Sequence, residues 1–342
     1  MSVFNGMPYL HESIESVLTQ DFDQFELIVI DDCSTDGTLE YLESIKDTRM
    51  RIINNEINLG LSESLNKGIK ISKGKYIARL DADDIAHKNR LWEQYIFLEQ
   101  NPNIGLLGTG YNEIDKDNQI ISIKVPIQVD YQLRWFSLFR NPFVHSSIML
   151  RKCILDNYDI KYPKMRVAQD YHMWNKIMEH TKAANLSTIL ISHRIHSNRI
   201  SNYAKDQQRK NVVETSLYYI ERRFQEKIWT PLEIKNLIDL YIKQKIDFPE
   251  SIYQTLNNLL FLFKNYFQNA STFEENKFKN LQKVRITKLI CDYRIYNMAS
   301  IKFIFGSLIL LKFVIKRIIS KNLEPLSAQH RSLHQPGNDK YN

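Results

Sequence analysis

The sequence predicts an α/β fold, a mostly parallel sheet flanked by helices, with a C-terminal helical region appended. Three observations predict it. Short apolar runs alternate with helical spacing up to about Gly110, punctuated by Gly60, Gly68, Gly74, Gly108 and Gly110, the rhythm of βαβ units. Two of those runs end in clusters of carboxylates, at the rim where α/β sheets bind ligands. Beyond about Tyr203 the chain reads as helical and more basic, with no glycine before Gly306. With 342 residues, 43% hydrophobic and 11% aromatic, it can hold one sizeable α/β domain and an appended region.

Each element follows from local pattern. Tyr9 to Gln20 places Leu10, Ile14, Val17 and Leu18 on one helical face. Glu26 to Ile30 is a buried strand running into Asp31-Asp32-Cys33-Ser34-Thr35-Asp36-Gly37-Thr38, and helical spacing resumes at Leu39, Leu42 and Ile45. Asp36 or Thr35 can cap that helix, whereas Asp31 and Asp32 have no capping duty. Tyr76 to Leu80 is a second buried strand, mixing β-branched and aromatic residues. Tyr111 to Pro126 reads as a hairpin turning at Asp117-Asn118, Val129 to Phe139 as a short helix, and Phe143 to Leu150 as a strand. Ala168 to His180 is a helix that buries Met173, Trp174, Ile177 and Met178, and Ile189 to Ile195 is a last strand. The expected organisation is a domain over 1–203, a basic helical region over 204–326 and a disordered polar tail over 327–342.

Asp81-Ala82-Asp83-Asp84, at the end of the second strand, carries the most chemistry. Three carboxylates so close together repel one another unless a cation is present. Magnesium-type cations are held by one or two carboxylates together with substrate phosphates. The plainer alternative is an acidic turn leading into the helix from Asn89. Other classes fall away on specific residues. Asp36-Gly37-Thr38 superficially resembles a haloacid-dehalogenase phosphatase motif, but the nucleophilic position holds Ser34. No GxGxxG follows a strand, which argues against a dinucleotide-binding domain. Cys33, Cys153 and Cys291 show no metal spacing and no disulfide framework, which suits a reducing cytoplasm, and no signal-peptide pattern opens the sequence. The +7 charge fits anionic substrates, lipid head groups or plain solubility, and no nucleic-acid motif accompanies it, so no nucleic acid partner is expected.

Six motifs, in order and spacing, resemble the inverting family 2 glycosyltransferases of the GT-A fold over about residues 1–203. Ser2-Val3-Phe4-Asn5-Gly6 matches the end of that family's first strand, so Ser2 and Phe4 are expected at the nucleotide. Asp32 falls on the uracil-binding Asp, and Asn58-Leu59-Gly60 with Asn66-Lys67-Gly68 on the loop and helix around the nucleoside. Asp81-Ala82-Asp83 is the DXD motif, with Asp83 the principal ligand of Mn2+ or Mg2+ and Asp81 beside it. His145 to Arg151 matches the acceptor-side strand, so His145 and Ser146 are expected to line the acceptor site. Gln169-Asp170-Tyr171 matches the helix that carries the catalytic base, Asp170.

The resemblance implies transfer of a sugar from a nucleotide-sugar, expected to be a UDP-sugar, to a hydroxyl of a glycan or lipid-linked acceptor in bacterial cell-surface polysaccharide synthesis. UDP-galactose, UDP-glucose and UDP-N-acetylglucosamine remain open as donors. Two departures stand out. Several apolar residues usually precede the Ser2 equivalent, so most of the first strand is missing here and the true start is expected about 5–10 residues upstream. Gln169 stands where the family usually has Glu. Both keep alive a rival reading, a catalytically inactive sugar-nucleotide-binding or scaffold subunit. Asp170 on its own reads equally as a first-turn acid on a helix dipole.

The remaining candidates are less defined. His196 is placed as a third metal ligand or diphosphate contact, with a structural role as the alternative. Arg199 and Ser201 are possible phosphate contacts, and parity leaves open whether Arg79 points to the acid cluster or away. Met298 to Ser320 has an uncharged run of only nine residues, Phe303 to Leu311, against the roughly 20 needed to span a bilayer. Its Lys302, Lys312, Lys316 and Arg317 share one sector, so it reads as a basic amphipathic helix for a membrane surface or a packing partner. A peripheral cytoplasmic protein on the inner face of the bacterial plasma membrane is the expected setting.

Overall fold

A computed structural model describes residues 1–292 except 198, 200–202, 226–227 and 244–251. The chain divides into a compact unit, Met1–Ile286, and a second, Thr287–Asn342, of which only the last turns of one helix are described. Ser201, the Met298 to Ser320 segment and the 327–342 tail lie outside the described residues.

The first unit opens as predicted, with strands and helices in alternation: β1 (Ser2–Val3), α1 (Leu10–Leu18), β2 (Leu27–Asp31), α2 (Thr38–Ser44), β3 (Met50–Asn54) and α3 (Leu61–Ile71). These strands form a parallel sheet in the order β1-β2-β3, with Ser2 opposite Ile30 and Ile30 opposite Ile53. Every residue of β2 is buried. Leu10 and Ile14 of α1 pack with Val3, Leu27, Val29 and Leu42, so the apolar face read from the sequence is the face that is covered. The α2 N-cap is Gly37, in the left-handed region at φ 85°; Asp36, one residue before it, accepts the Thr38 N–H at 3.2 Å.

Then come β4 (Tyr76–Ala78), β5 (Ile85–Ala86), α4 (Arg90–Gln100), β6 (Ile104–Ile114), β7 (Ile120–Lys124), α5 (Asp130–Phe136), β8 (Met149–Arg151), α6 (Lys152–Asn157), α7 (Gln169–Met178) and β9 (Lys182–Arg194). The second sheet runs β4-β8-β6-β9-β5, with β7 paired to β6. Here the expectation of a mostly parallel sheet is corrected. Only β6 and β9 are parallel, while β4–β8, β5–β9, β6–β7 and β6–β8 are antiparallel. The hairpin connection explains part of this, since the tight turn from Asp115 to Gln119 can only join antiparallel strands. Two further boundaries move. Residues 145–147 form a 3₁₀ turn rather than strand, because Ser147 Oγ and N both bond the Val144 carbonyl. The last strand starts at Lys182, seven residues earlier than read, through an Ala183-Ala184-Asn185 stretch that is buried yet only weakly apolar.

Between the two sheets lies an apolar cavity of about 420 Å³, lined among others by Leu27 and Ile28 of β2, Tyr76 to Ala78 of β4, and Met1. The Met1 ammonium donates to the Ile28 carbonyl at 2.9 Å, and burial first, then the Arg79 charge, push its pKa down to about 5.

Past residue 203 the compact unit continues through α8 (Lys205–Arg223), α9 (Pro231–Ile238), α10 (Ile252–Tyr266) and α11 (Phe273–Asp292). Asn211 Nδ2 on α8 donates to the Val167 carbonyl at 2.8 Å, and Trp135 Nε1 on α5 donates to Tyr241 Oη at 2.6 Å. The helices therefore pack on the strand-bearing part through aromatic and polar contacts up to Ile286. Among the described residues no helix is long and apolar enough to cross a membrane.

Candidate active site

The candidate residues lie at the carboxyl ends of β2 and β4, the rim where α/β sheets bind ligands. On the β2 side, Asp32 is almost fully buried, and its carboxylate accepts from Leu59 N (2.9 Å), Gly60 N (2.8 Å), Asn55 Nδ2 (2.8 Å) and Ser64 Oγ (2.9 Å). Burial opposes its ionisation, but those donors prevail and hold its pKa below the ordinary carboxylate value. Asn58 Nδ2 bonds the Asp32 carbonyl, and Lys67 Nζ reaches Asn55 Oδ1 at 2.7 Å. Asp32, Asn58, Gly60 and Lys67 are thus brought together around one turn, whose Gly60 sits at φ 85°. Neighbouring Asp31 is fully buried with Oδ1 unpartnered among the described residues. Ser2 is buried in β1 and Phe4 is exposed beside it; the following turn is tied down by Asn5 N to Ser34 Oγ at 2.9 Å and Met7 N to Asp36 Oδ2 at 3.1 Å.

On the β4 side, each carboxylate of the acid cluster meets its own basic partner. Arg79, 4% exposed, ion-pairs with Asp81, which settles its direction toward the cluster. Burial works to raise the Asp81 pKa, but the Arg79 charge, with the Ser146 hydroxyl, outweighs it and holds the carboxyl well below the usual range. Asp83 Oδ2 lies 2.9 Å from His196 Nε2; burial, with the Asp84 and Asp81 charges, leaves its pKa raised. Asp84 has no exposed surface and is held by His193 Nδ1 (3.0 Å), the Arg194 backbone N–H (2.8 Å) and the Ser146 hydroxyl. Arg199 Nη2 contacts His193 Nε2 at 2.5 Å, so the Nδ1 proton of that ring faces Asp84. Arg194, 1% exposed, donates from Nε to the Asp83 carbonyl at 2.9 Å and lies 4.5 Å over the Tyr9 ring.

Beneath these acids, His145 sits against Tyr162 Oη (2.9 Å) and Arg79 Nε (3.2 Å). Burial and the Arg79 charge push its pKa down to about 3, so it is neutral. Ser146 Oγ lies 2.9 Å from Asp81 Oδ2 and accepts the Asp81 N–H at 3.0 Å.

Asp170 is the second residue of α7, after Ala168 in the left-handed region at φ 61°. Asn141 Nδ2 donates to Asp170 Oδ2 at 2.7 Å. Burial chiefly, with a contribution from the Asp81 charge, raises the Asp170 pKa to about 6 despite the helix N–H groups and Asn141. Gln169 is buried, and its Oε1 has no donor among the described residues.

Sequence reasoning missed Asn55, Ser64, Asn141, Tyr162, His193 and Arg194 as parts of this network. Only Arg194 carried a usable signal: an arginine in an otherwise apolar strand end requires a buried acidic or carbonyl partner. No three His, Cys, Asp or Glu side chains converge on one metal position among the described residues. Asp83, with His196 Nε2 2.9 Å from its Oδ2, still offers donor chemistry that suits Mn2+ or Mg2+, because such ions need only one or two protein ligands when substrate phosphates supply the rest.

Comparison with known proteins identifies the family and the fold. Residues 1–209 match the model of glycosyl transferase family 2. An uncharacterized glycosyltransferase of Haemophilus influenzae is 32% identical over 253 residues, covering 69% of this chain and 76% of its own length. The Escherichia coli UDP-Glc:alpha-D-GlcNAc-diphosphoundecaprenol beta-1,3-glucosyltransferase WfaP is 28% identical over 59% of this chain and 78% of its own. The crystal structure of S. aureus TarS 1–349 in complex with UDP-GlcNAc superposes with a TM-score of 0.56 at 18% identity, covering 86% of this chain and 88% of that one, a likeness of fold. The chain is therefore a glycosyltransferase, a member of glycosyl transferase family 2 with the GT-A fold.

Proposed function

We propose that the protein transfers a sugar, with inversion, from a UDP-sugar to a hydroxyl of a glycan or lipid-linked acceptor in bacterial cell-surface polysaccharide synthesis. The observation that most supports this reading is Asp170, a carboxylate at the start of α7 that Asn141 Nδ2 holds at 2.7 Å and that is poised near pH 6. A base of that acidity is mostly ionised at neutral pH and still strong enough to draw a proton from an attacking hydroxyl, an effect worth about 10²–10⁴-fold. The donor names of WfaP and of the TarS complex support UDP as the carrier.

Each group has a role in the proposed reaction. Asp32 fixes the Asn58–Gly60 turn against which the nucleoside lies, with Ser2, Phe4 and Lys67 at its edge. Asp83 and Asp81, with His196, would hold the divalent cation, which supplies charge neutralisation for the leaving diphosphate. His145 and Ser146 form the floor on the acceptor side. Asp170 takes the proton of the acceptor hydroxyl as that oxygen attacks the anomeric carbon from the face opposite the diphosphate.

Release of UDP from a panel of UDP-sugars with and without Mn2+ or Mg2+, followed by mass spectrometry of a lipid-linked product, tests this reading. Donor binding without any turnover across acceptors would favour the scaffold alternative. We also propose that the protein meets the cytoplasmic face of the membrane through the basic, apolar-rich segment Met298 to Ser320. Sedimentation with anionic liposomes at low salt, lost on truncation after Phe273, is the expected result; full-length protein left in the supernatant overturns it.

A further inference from the structure

One residue along the chain from Asn141, the hydrogen-bond partner of Asp170, begins a pair of guanidinium groups that the chemistry above leaves unused. Arg140 directly precedes Asn141, the residue that holds Asp170, and its Cζ lies 5.3 Å from the Phe136 ring centroid. Arg285, on α11, lays its Cζ 4.4 Å over the Tyr241 ring and donates from Nη2 to the Tyr241 carbonyl at 2.6 Å. The Phe136 and Tyr241 centroids are 6.2 Å apart, so both cations flank one aromatic platform. Tyr241 is itself fixed by Trp135 Nε1 at 2.6 Å, so the platform is rigid.

Neither arginine is ion-paired with a carboxylate among the described residues, and the buried Arg285 Nε has no hydrogen-bond partner there. Buried donors are nearly always satisfied, so an unmet one beside an unpaired cation points to a ligand. Burial, and after it the Arg285 charge, push the Arg140 pKa below its ordinary value, so an anion between the two would relieve a repulsion already present.

We infer that Arg140 and Arg285 together bind a phosphoryl group carried by the acceptor and hold it beside Asp170 while an acceptor hydroxyl is presented. This rests on the reading of Asp170 as the acceptor-side base. One guanidinium fork already satisfies a carboxylate bidentately, whereas a phosphoryl group has three terminal oxygens and can engage two forks at once. A lipid-linked phosphate and a polyol phosphate share this chemistry.

The test loads the full-length protein with saturating UDP and Mn2+, which occupies the donor side. Glycerol phosphate, tetradecyl phosphate in neutral detergent micelles, and acetate are then titrated calorimetrically. Both phosphates are expected to bind saturably and acetate far more weakly. Tighter binding of tetradecyl phosphate identifies a lipid source, and equal binding a polyol phosphate. Arg140→Gln and Arg285→Gln should each weaken phosphate binding by about tenfold or more with UDP affinity unchanged. Should Arg285→Gln fail to fold, Arg285→Lys is expected to give an intermediate loss, because it keeps the charge but not the fork. No saturable phosphate binding, acetate binding as tight as phosphate, or variants that lose UDP affinity in step would each overturn the site. Failure of the wild-type protein to bind UDP at all would instead sink the donor reading.

Discussion

Asn141 orients Asp170: its Nδ2 donates to Asp170 Oδ2 at 2.7 Å while its Oδ1 accepts the Phe143 N–H at 3.1 Å. The backbone bond decides which end of the amide faces the carboxylate, so Asp170 always meets a donor. One carboxylate oxygen is thereby anchored. The same bond opposes burial in setting the acidity of Asp170.

Turnover should therefore rise with pH through about 6, the folded-state value of Asp170, as the base ionises. Asp170→Asn is expected to lower turnover by about 10²-fold or more with donor affinity intact. Asn141→Ala removes a group that favours the ionised form, so its rising limb should shift to higher pH. Because the Asp170 pKa is raised on folding, its ionisation destabilises the fold above the unfolded value of 3.8, and Asp170→Asn should melt higher than wild type at pH 7. A pH–rate profile beside thermal melts checks all of this. A limb unmoved in the Asn141 variant would remove Asn141 from the base's environment.

Asp83→Ala deletes a partly exposed carboxylate that bonds His196 and fills no core space. Melting temperature should change little, while the enhancement of UDP binding by Mn2+ disappears. Calorimetric titration of UDP with Mn2+ or with chelator measures this directly. Retained metal enhancement in the variant would show that the cation is held elsewhere.

Much of this arrangement was legible because it is local. The apolar face of α1, the strand of Glu26 to Ile30 and the acid cluster after β4 are all written in contiguous residues. What stayed hidden is made by contacts distant in sequence. Ser146 meets Asp81 and Asp84 from more than sixty positions away, and Arg194 reaches Asp83 across 111. No spacing rule relates such residues. The antiparallel second sheet was misread for the same reason, since strand direction depends on where the chain returns. Ala183-Ala184-Asn185 was missed because period-2 patterning fails when both faces of a strand are buried.

Asp84 is predicted to be the carboxylate of the cluster on which stability most depends. It is wholly buried, and it joins β9 to the DXD turn through His193, Arg194 and Ser146. Asp84→Ala would leave the His193 and Arg194 donors facing an unfilled, desolvated space. Removing one member of a buried charged set costs on the order of 3 kcal/mol. Denaturant titration should show that loss, and Asp84→Asn a smaller one because it still accepts from the Arg194 N–H. A melt equal to wild type in Asp84→Ala would mean that the turn is held without it.

The cavity between the sheets should accept a strand. Ile30 N–H donates to the Met1 carbonyl and Met1 N to the Ile28 carbonyl, so the even-numbered residues of β2 turn their backbone groups toward β1 and the cavity. Arg79 N–H bonds Ile148 and Lys152 N–H bonds Lys75, so odd-numbered residues of β4 face β8, leaving Tyr76 and Ala78 toward the same space. Two strand edges thus face one another across about 420 Å³ of mostly apolar volume. A short fusion of alternating Val and Ile ahead of Met1 is expected to raise the melting temperature by roughly 3 °C, since about 2 kcal/mol gained at about 1.5 °C per kcal/mol gives that shift in a chain of this length. A Gly-Ser fusion of equal length should give no gain. The pH dependence supplies a second readout. In the unfused chain the Met1 amine titrates at about 5 when folded against 8.0 when unfolded, so the unfolded state binds more protons and stability rises with pH between those values. The Val-Ile fusion replaces that amine with a peptide bond and should flatten this rise. Equal melting of the two fusions would mean that the cavity does not accept a strand.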